Sequence, residues 1–256
     1  MLGAIAGDMI GAPYERISTK SKDFNAVVSE FTDDTVLTVA VADWILNDTD
    51  CAATIKQYAR NYHNLPYGGS FRGWFNSSEN KPYYSFGNGS AMRVSPVGFA
   101  YGSGAEVLSL ARRSAEVTHN HPEGIKGAQA TALAIFLARK GRAREDIRSE
   151  ISARFDYDLN RTVDDIRPGY NFDVSCQGSV PESIIAFLDS DSYMDAIRNA
   201  ISLGGDADTM ACIAGGIAQA WYKKIPAEVV DGVRERFAPD LWKVVEHFNT
   251  VYECEF

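Results

Sequence analysis

The sequence has no CxxC pair; its four cysteines, Cys51, Cys176, Cys212 and Cys254, are scattered along 256 residues. The plain reading is a reduced, cytosolic protein. It also has no Lys/Arg-rich run, and its formal charge is −9. That balance argues against a nucleic-acid or anionic-membrane surface. It leaves room for an anionic ligand whose charge is met locally by metal or backbone amides. No uncharged apolar run is long enough to span a bilayer. Met1 to Ala12 is small and apolar but carries Asp8 and no basic flank, so it does not read as a signal peptide. No alternating run is long enough to mark a strand, and helical periods dominate.

What is present centres on Gly204-Gly205-Asp206-Ala207-Asp208-Thr209. Two glycines permit a tight turn, two carboxylates follow at alternate positions, and then a hydroxyl. Met210 to Tyr222 is free of charge and rich in Ala and Gly, the pattern of a helix buried on all sides. Asp208 and Thr209 are also ordinary N-cap types, so a capped core helix explains this segment alone. Phe31-Thr32-Asp33-Asp34-Thr35 repeats the arrangement before an apolar helix, Val36 to Leu46. Two buried helices with the same oxygen-rich start suggest one shared site. Four carboxylates cannot be buried together unless they are protonated or cations lie between them. Oxygen donors without Cys or His suit Mg²⁺, Mn²⁺ or Ca²⁺ better than zinc, and two clusters could hold two ions.

With 45% hydrophobic residues the chain can bury a sizeable core, and its length suits a single domain, residues 1–256. Leu2 to Gly11 reads as a first helix, broken at Pro13. Ile17 to Glu30 reads as a surface loop or flap, and Ala52 to Tyr62 as a helix. Asn64 to Ser90 is rich in Gly, Asn, Ser and aromatic residues and reads as a long ordered loop. Ala91 to Tyr101 is apolar and interrupted by Pro96. Further helices are expected over Ala105–Val117, Pro122 to Gly141, Arg144–Phe155, Pro181–Leu188, Tyr193–Ile201, Ala207–Tyr222, Pro226–Arg236 and Leu241–Tyr252, with Asp156 to Gly178 polar and turn-rich. The expected architecture is all-α: one compact orthogonal helical domain with a central binuclear metal site.

Five motifs coincide in order: Gly3-Ala4-Ile5-Ala6-Gly7-Asp8-Met9-Ile10-Gly11, Thr32-Asp33-Asp34-Thr35, Gly87-Asn88-Gly89-Ser90-Ala91-Met92-Arg93, Thr118-His119 and Gly204 to Thr209. Together they resemble the ADP-ribosylglycohydrolase family, from about Leu2 to Tyr222. The resemblance implies hydrolysis of the bond between ADP-ribose C1″ and an acceptor, at a centre of two Mg²⁺ or Mn²⁺. It implies Thr32, Asp33, Asp34, Asp206, Asp208 and Thr209 as metal ligands and Glu15 as an acidic flap residue. It implies Ser85, Phe86, Gly87, Asn88, Gly89 and Ser90 as the diphosphate loop, with His119 near the ligand.

The chemistry of these residues agrees. An oxocarbenium-like centre is helped by a nearby carboxylate and an activated water, for which Glu15, Asp33 and Asp34 are candidates. Glycines let backbone N–H groups face an anion, and Phe86 offers a flat surface to adenine or ribose. Asn-Gly is equally a common turn pair. Arg93 is expected to pair with a buried Asp rather than reach a phosphate. His119 and His121 suit capping or ligand hydrogen bonding, and Asp8 suits a partner behind the metal cluster. Tyr83, Tyr84 and Trp74 suit loop packing. The expected partner is an ADP-ribose-containing substrate, including an ADP-ribosylated protein, bound by a monomer. Two rival readings remain open: an ADP-ribose binder without catalysis, and a different binuclear nucleotide or phosphoester hydrolase. The acceptor is not legible, because the loops expected to choose it, Asn64–Tyr84 and Asp156–Gln177, match no one subfamily.

Overall fold

The computed structural model describes residues 1–256, and its elements are helices throughout. In chain order they are α1 (Leu2–Gly11), α2 (Asp33–Asn47), α3 (Cys51–Asn61), α4 (Gly69–Asn76), α5 (Gly89–Met92), α6 (Ser95–Ala100), α7 (Gly104–Glu116) and α8 (Pro122–Arg139). There follow α9 (Arg144–Phe155), α10 (Val163–Ile166), α11 (Cys176–Leu188), α12 (Tyr193–Ser202), α13 (Ala207–Tyr222), α14 (Ala227–Arg236) and α15 (Pro239–Val251). The only β pairing is an isolated antiparallel bridge between Gly87 and Ser175. The all-α expectation holds, and no helix is long and apolar enough to cross a membrane.

The centre of the fold is α1 packed along α13. Their surfaces nearly lack side chains. A Cβ on Gly7 would lie 2.1 Å from the Ala211 carbonyl oxygen, and one on Gly215 would lie 2.2 Å from the Gly3 oxygen. Gly3, Gly7 and Gly11 recur every fourth residue, so they form one stripe on α1. Backbone meets backbone there. This close approach sets the register that brings Asp8 of α1 beside Asp208 at the start of α13. Methyl insertion into such a contact forces backbone shifts costing roughly 1–3 kcal/mol or more. Gly7→Ala should therefore lower the unfolding free energy by that amount, seen as a lower urea midpoint with the m value unchanged. An unchanged midpoint would show that the two helices can separate freely.

Helix α2 starts at Asp33, three residues before its apolar run, because Thr32 caps it: Thr32 Oγ1 accepts from the Asp34 N–H. Four stretches differ from their local pattern. The expected loop Asn64–Ser90 contains α4, which buries Phe71, Trp74 and Phe75 on one face. Ala91–Tyr101 divides between the end of α5 and α6, with Pro96 in the first turn of α6. The polar segment before α11 holds the single turn α10, closed by a Thr162–Asp165 capping box. Finally, α11 begins at Cys176 rather than Pro181, because the Ser175 hydroxyl accepts the Gly178 N–H and caps it earlier.

Candidate metal centre and nucleotide cavity

The two Thr/Asp helix starts meet. Oxygens of Asp8, Asp34 and Asp208 lie within 4.8 Å of one another, as do those of Glu15, Asp206 and Asp208. Asp208 belongs to both groups. Asp34, Asp206 and Asp208 are nearly fully buried, while Asp33 and Glu15 are half-buried at the edge. Burial raises the pKa of Asp8, Asp34, Asp206 and Asp208, and mutual repulsion adds to it for Asp34 and Asp208. Asp33 is pushed up to about 7 by desolvation first and then by Asp8. Burial and then Asp206 raise Glu15, with Arg16 opposing weakly. No lysine, arginine or histidine offsets the five aspartates.

Asp8 is fully buried and orders the first cluster. Its carboxylate accepts from the Thr32 N–H and Oγ1–H (3.0 and 2.7 Å) and from the Thr35 N–H and Oγ1–H (3.2 and 2.5 Å). These four bonds tie the Asp8 carboxylate to the start of α2. Thr32 faces Asp8 and Asp34 rather than the cavity. Thr209 lines the cavity, but its hydroxyl donates weakly to Met92 Sδ at 3.8 Å. Asp34 Oδ1 is buried with no hydrogen-bond partner. An unpaired buried carboxylate oxygen in an all-oxygen donor set, with no cationic side chain near, fits a hard divalent ion.

These oxygens form one end of a cavity of about 640 Å³. The loop Ser85–Gly89 forms another wall, held by the bridge partner segment: the Asn88 N–H donates to the Val174 oxygen and the Cys176 N–H to the Phe86 oxygen. Ser85 Oγ accepts from the Gly87 N–H at 3.1 Å, closing a turn. The Asn88 amide donates to Asp206 Oδ2 (2.7 Å) and Ser179 Oγ (3.2 Å). Asn88 thus ties the loop to the carboxylate cluster. Phe86 is 49% exposed and meets His121 edge-on, available to an aromatic ligand. His121 caps α8 by accepting from the Glu123 N–H.

Ser90 departs from the expected loop. It is fully buried beneath the cavity, and its hydroxyl donates to the Gly124 oxygen at 2.7 Å. Helix α5 turns it inward, so it does not line the wall. Arg93 also departs: it is fully buried but forms no ion pair, donating instead to the Ser114 oxygen and Thr118 Oγ1. The long-range fold places those neutral acceptors, not an aspartate, beside it. His119 lines the cavity.

The individual motifs do not single out the wall formed by Pro66, Gly68, Gly69, Ser70 and Phe71 at the start of α4. A Cβ on Gly68 or Gly69 would meet nothing within 4 Å, so the backbone faces open space. The glycine pair was the available signal. Phe172 and Val174, both about half exposed, complete the rim.

The all-helical fold thus brings two acidic helix starts and a glycine loop onto one cavity. Residues 1–254 match the family model of the ADP-ribosylglycohydrolases, and the chain belongs to that family. It is 27% identical to the ADP-ribosylhydrolase ARH3 of Mus musculus over 87% of this chain and 82% of the relative. It is 26% identical to the ADP-ribosylarginine hydrolase Tri1 of Pseudomonas putida over 91% and 72%. A solved structure, an ADP-ribosylglycohydrolase-related protein complex, superposes with a TM-score of 0.76 at 24% identity, covering 98% of this chain and 95% of that one. That likeness concerns the fold.

Proposed function

We propose that this protein is a metal-dependent hydrolase of the glycosidic bond between ADP-ribose C1″ and an acceptor, either an ADP-ribosylated protein side chain or a small ADP-ribose conjugate. The observation that carries the reading is the meeting of two buried acidic helix starts with a glycine loop on one cavity. Thr32, Asp33, Asp34, Asp206, Asp208 and Thr209 would hold two Mg²⁺ or Mn²⁺, and Asp208, common to both carboxylate groups, supports a binuclear arrangement. Bound there, divalent ions orient ribose hydroxyls and lower the pKa of a water.

The chain's own residues supply the rest. Ser85 to Gly89 and His119 take the diphosphate, and Phe86 packs on adenine or ribose. Asp33, at the exposed edge of the cluster, and Asp34 accept protons from the attacking water. Glu15 closes over the scissile bond from the flap and assists its cleavage by holding or moving a proton. Residues 1–256 act as one domain and as a monomer, without nucleic acid or membrane. Four free, buried cysteines suit the cytoplasm.

Incubation with ADP-ribosyl-arginine and ADP-ribosyl-serine peptides plus Mg²⁺ tests the reading and finds the acceptor. Free ADP-ribose is the expected product. AMP would instead establish the phosphoester hydrolase, and binding without turnover the inactive binder.

A further inference from the structure

Arg93, Thr118 and His119 form a chain of hydrogen bonds that ends at the cavity. Arg93 Nη2 donates to Thr118 Oγ1 at 2.9 Å, and Thr118 Oγ1 lies 2.7 Å from His119 Nδ1. Arg93 and Thr118 are wholly inaccessible to solvent. Arginine can only donate, so the threonine oxygen is the acceptor in the first bond. The threonine proton then needs an acceptor of its own, and the one beside it is His119 Nδ1. A proton on Nδ1 would leave the buried threonine hydroxyl unpaired, at a cost that native interiors avoid.

We propose that Arg93 and Thr118 are positioning residues that hold His119 as its Nε2–H tautomer, making His119 a hydrogen-bond donor to an anionic oxygen of the substrate's diphosphate. The inference rests on the reading that this cavity takes ADP-ribose. Three further observations support it. First, Nε2 is the edge of the ring turned toward the glycine loop: a Cβ on Gly89 would lie 3.2 Å from it. Secondly, burial and then the Arg93 charge push the His119 pKa well below its ordinary value, so the ring is neutral and its tautomer decides whether Nε2 donates. Thirdly, Arg93 Nε and Nη1 have no hydrogen-bond partner. The arginine lies behind the cavity wall without a counter-ion, and its charge favours an anion in the cavity.

Long-range ¹⁵N–¹H correlation spectra of the free protein test the tautomer. The chain has four histidines, and His119→Gln assigns the relevant signal. The Nε2–H pattern is expected; an Nδ1–H pattern would overturn the proposal. ADP-ribose is then titrated in Mg²⁺ buffer. Thr118→Val should mix the tautomers and weaken binding about tenfold, the scale of one hydrogen bond to a charged group. Thr118→Ser should restore both the spectrum and the affinity, which a merely structural role for the methyl group would not allow. Wild-type affinity in Thr118→Val would overturn the positioning role. Should that variant not fold, the wild-type spectrum still decides the tautomer. Failure of the wild-type protein itself to bind ADP-ribose would refute the nucleotide reading, while the tautomer would be judged on the spectrum alone.

Discussion

Exhaustive treatment with EDTA abolishes hydrolysis, and Mg²⁺ or Mn²⁺ restores it: that is the largest effect expected of this protein. The physical reason is the crowding of Asp8, Asp33, Asp34, Asp206 and Asp208, whose pKa values are raised by burial with no cationic side chain to offset them. An ion bound to the folded state adds RT ln(1 + [L]/Kd), about 2.7 kcal/mol at a hundred times Kd. Chelation should therefore lower Tm as well. Asp208→Ala extends the test, because Asp208 belongs to both carboxylate groups. With metal present, that variant should lose ion affinity and melt earlier than wild type. In metal-free buffer the same change should be neutral or stabilising, since it relieves repulsion. Full turnover after exhaustive chelation would refute the metal-dependent reading.

Glu15→Gln is expected to lower kcat by roughly 10²–10⁴, the usual worth of a positioned acid or base. The side chain is half-buried on the segment after α1, and its carboxyl lies within 4.8 Å of those of Asp206 and Asp208. Gln keeps its shape and removes its charge. ADP-ribose affinity and Tm should stay near wild type, because most exposed or partly exposed substitutions change stability little. Turnover is to be compared at saturating Mg²⁺, with ion affinity measured separately, so that weakened ion binding is not mistaken for lost chemistry. A kcat within a few-fold of wild type would pass the role to Asp33 or Asp34.

The acceptor has a different standing. The cavity wall at Gly68–Phe71 and the rim at Phe172 and Val174 lie in the two segments expected to choose it. Their geometry bounds the space offered to an acceptor but carries no charge pattern that selects arginine over serine. The peptide comparison addresses that question directly.

Much of the fold was legible from local pattern. The charge-free run after Thr209, the small apolar run Leu2 to Gly11 and the Thr/Asp pairs preceding apolar runs all depend on near neighbours in sequence, and each formed the expected helix or helix start. That the two acidic starts share a site was also legible, because buried carboxylates need a common means of neutralisation. What the sequence left open was settled by contacts between distant residues. Helix α4 forms within a glycine- and asparagine-rich stretch because Phe71, Trp74 and Phe75 find an apolar layer to enter. Ser90 turns away from the cavity because the Gly124 oxygen lies beneath it, and Arg93 takes Ser114 and Thr118 as acceptors where an aspartate was expected. Asn88 reaches across 118 positions to Asp206. Period and capping are written in neighbours a few residues apart, so the sequence alone determined most of the helices and the acidic, all-oxygen character of their two polar starts. Which buried donor meets which acceptor depends on how those helices pack, and only the tertiary structure decided that.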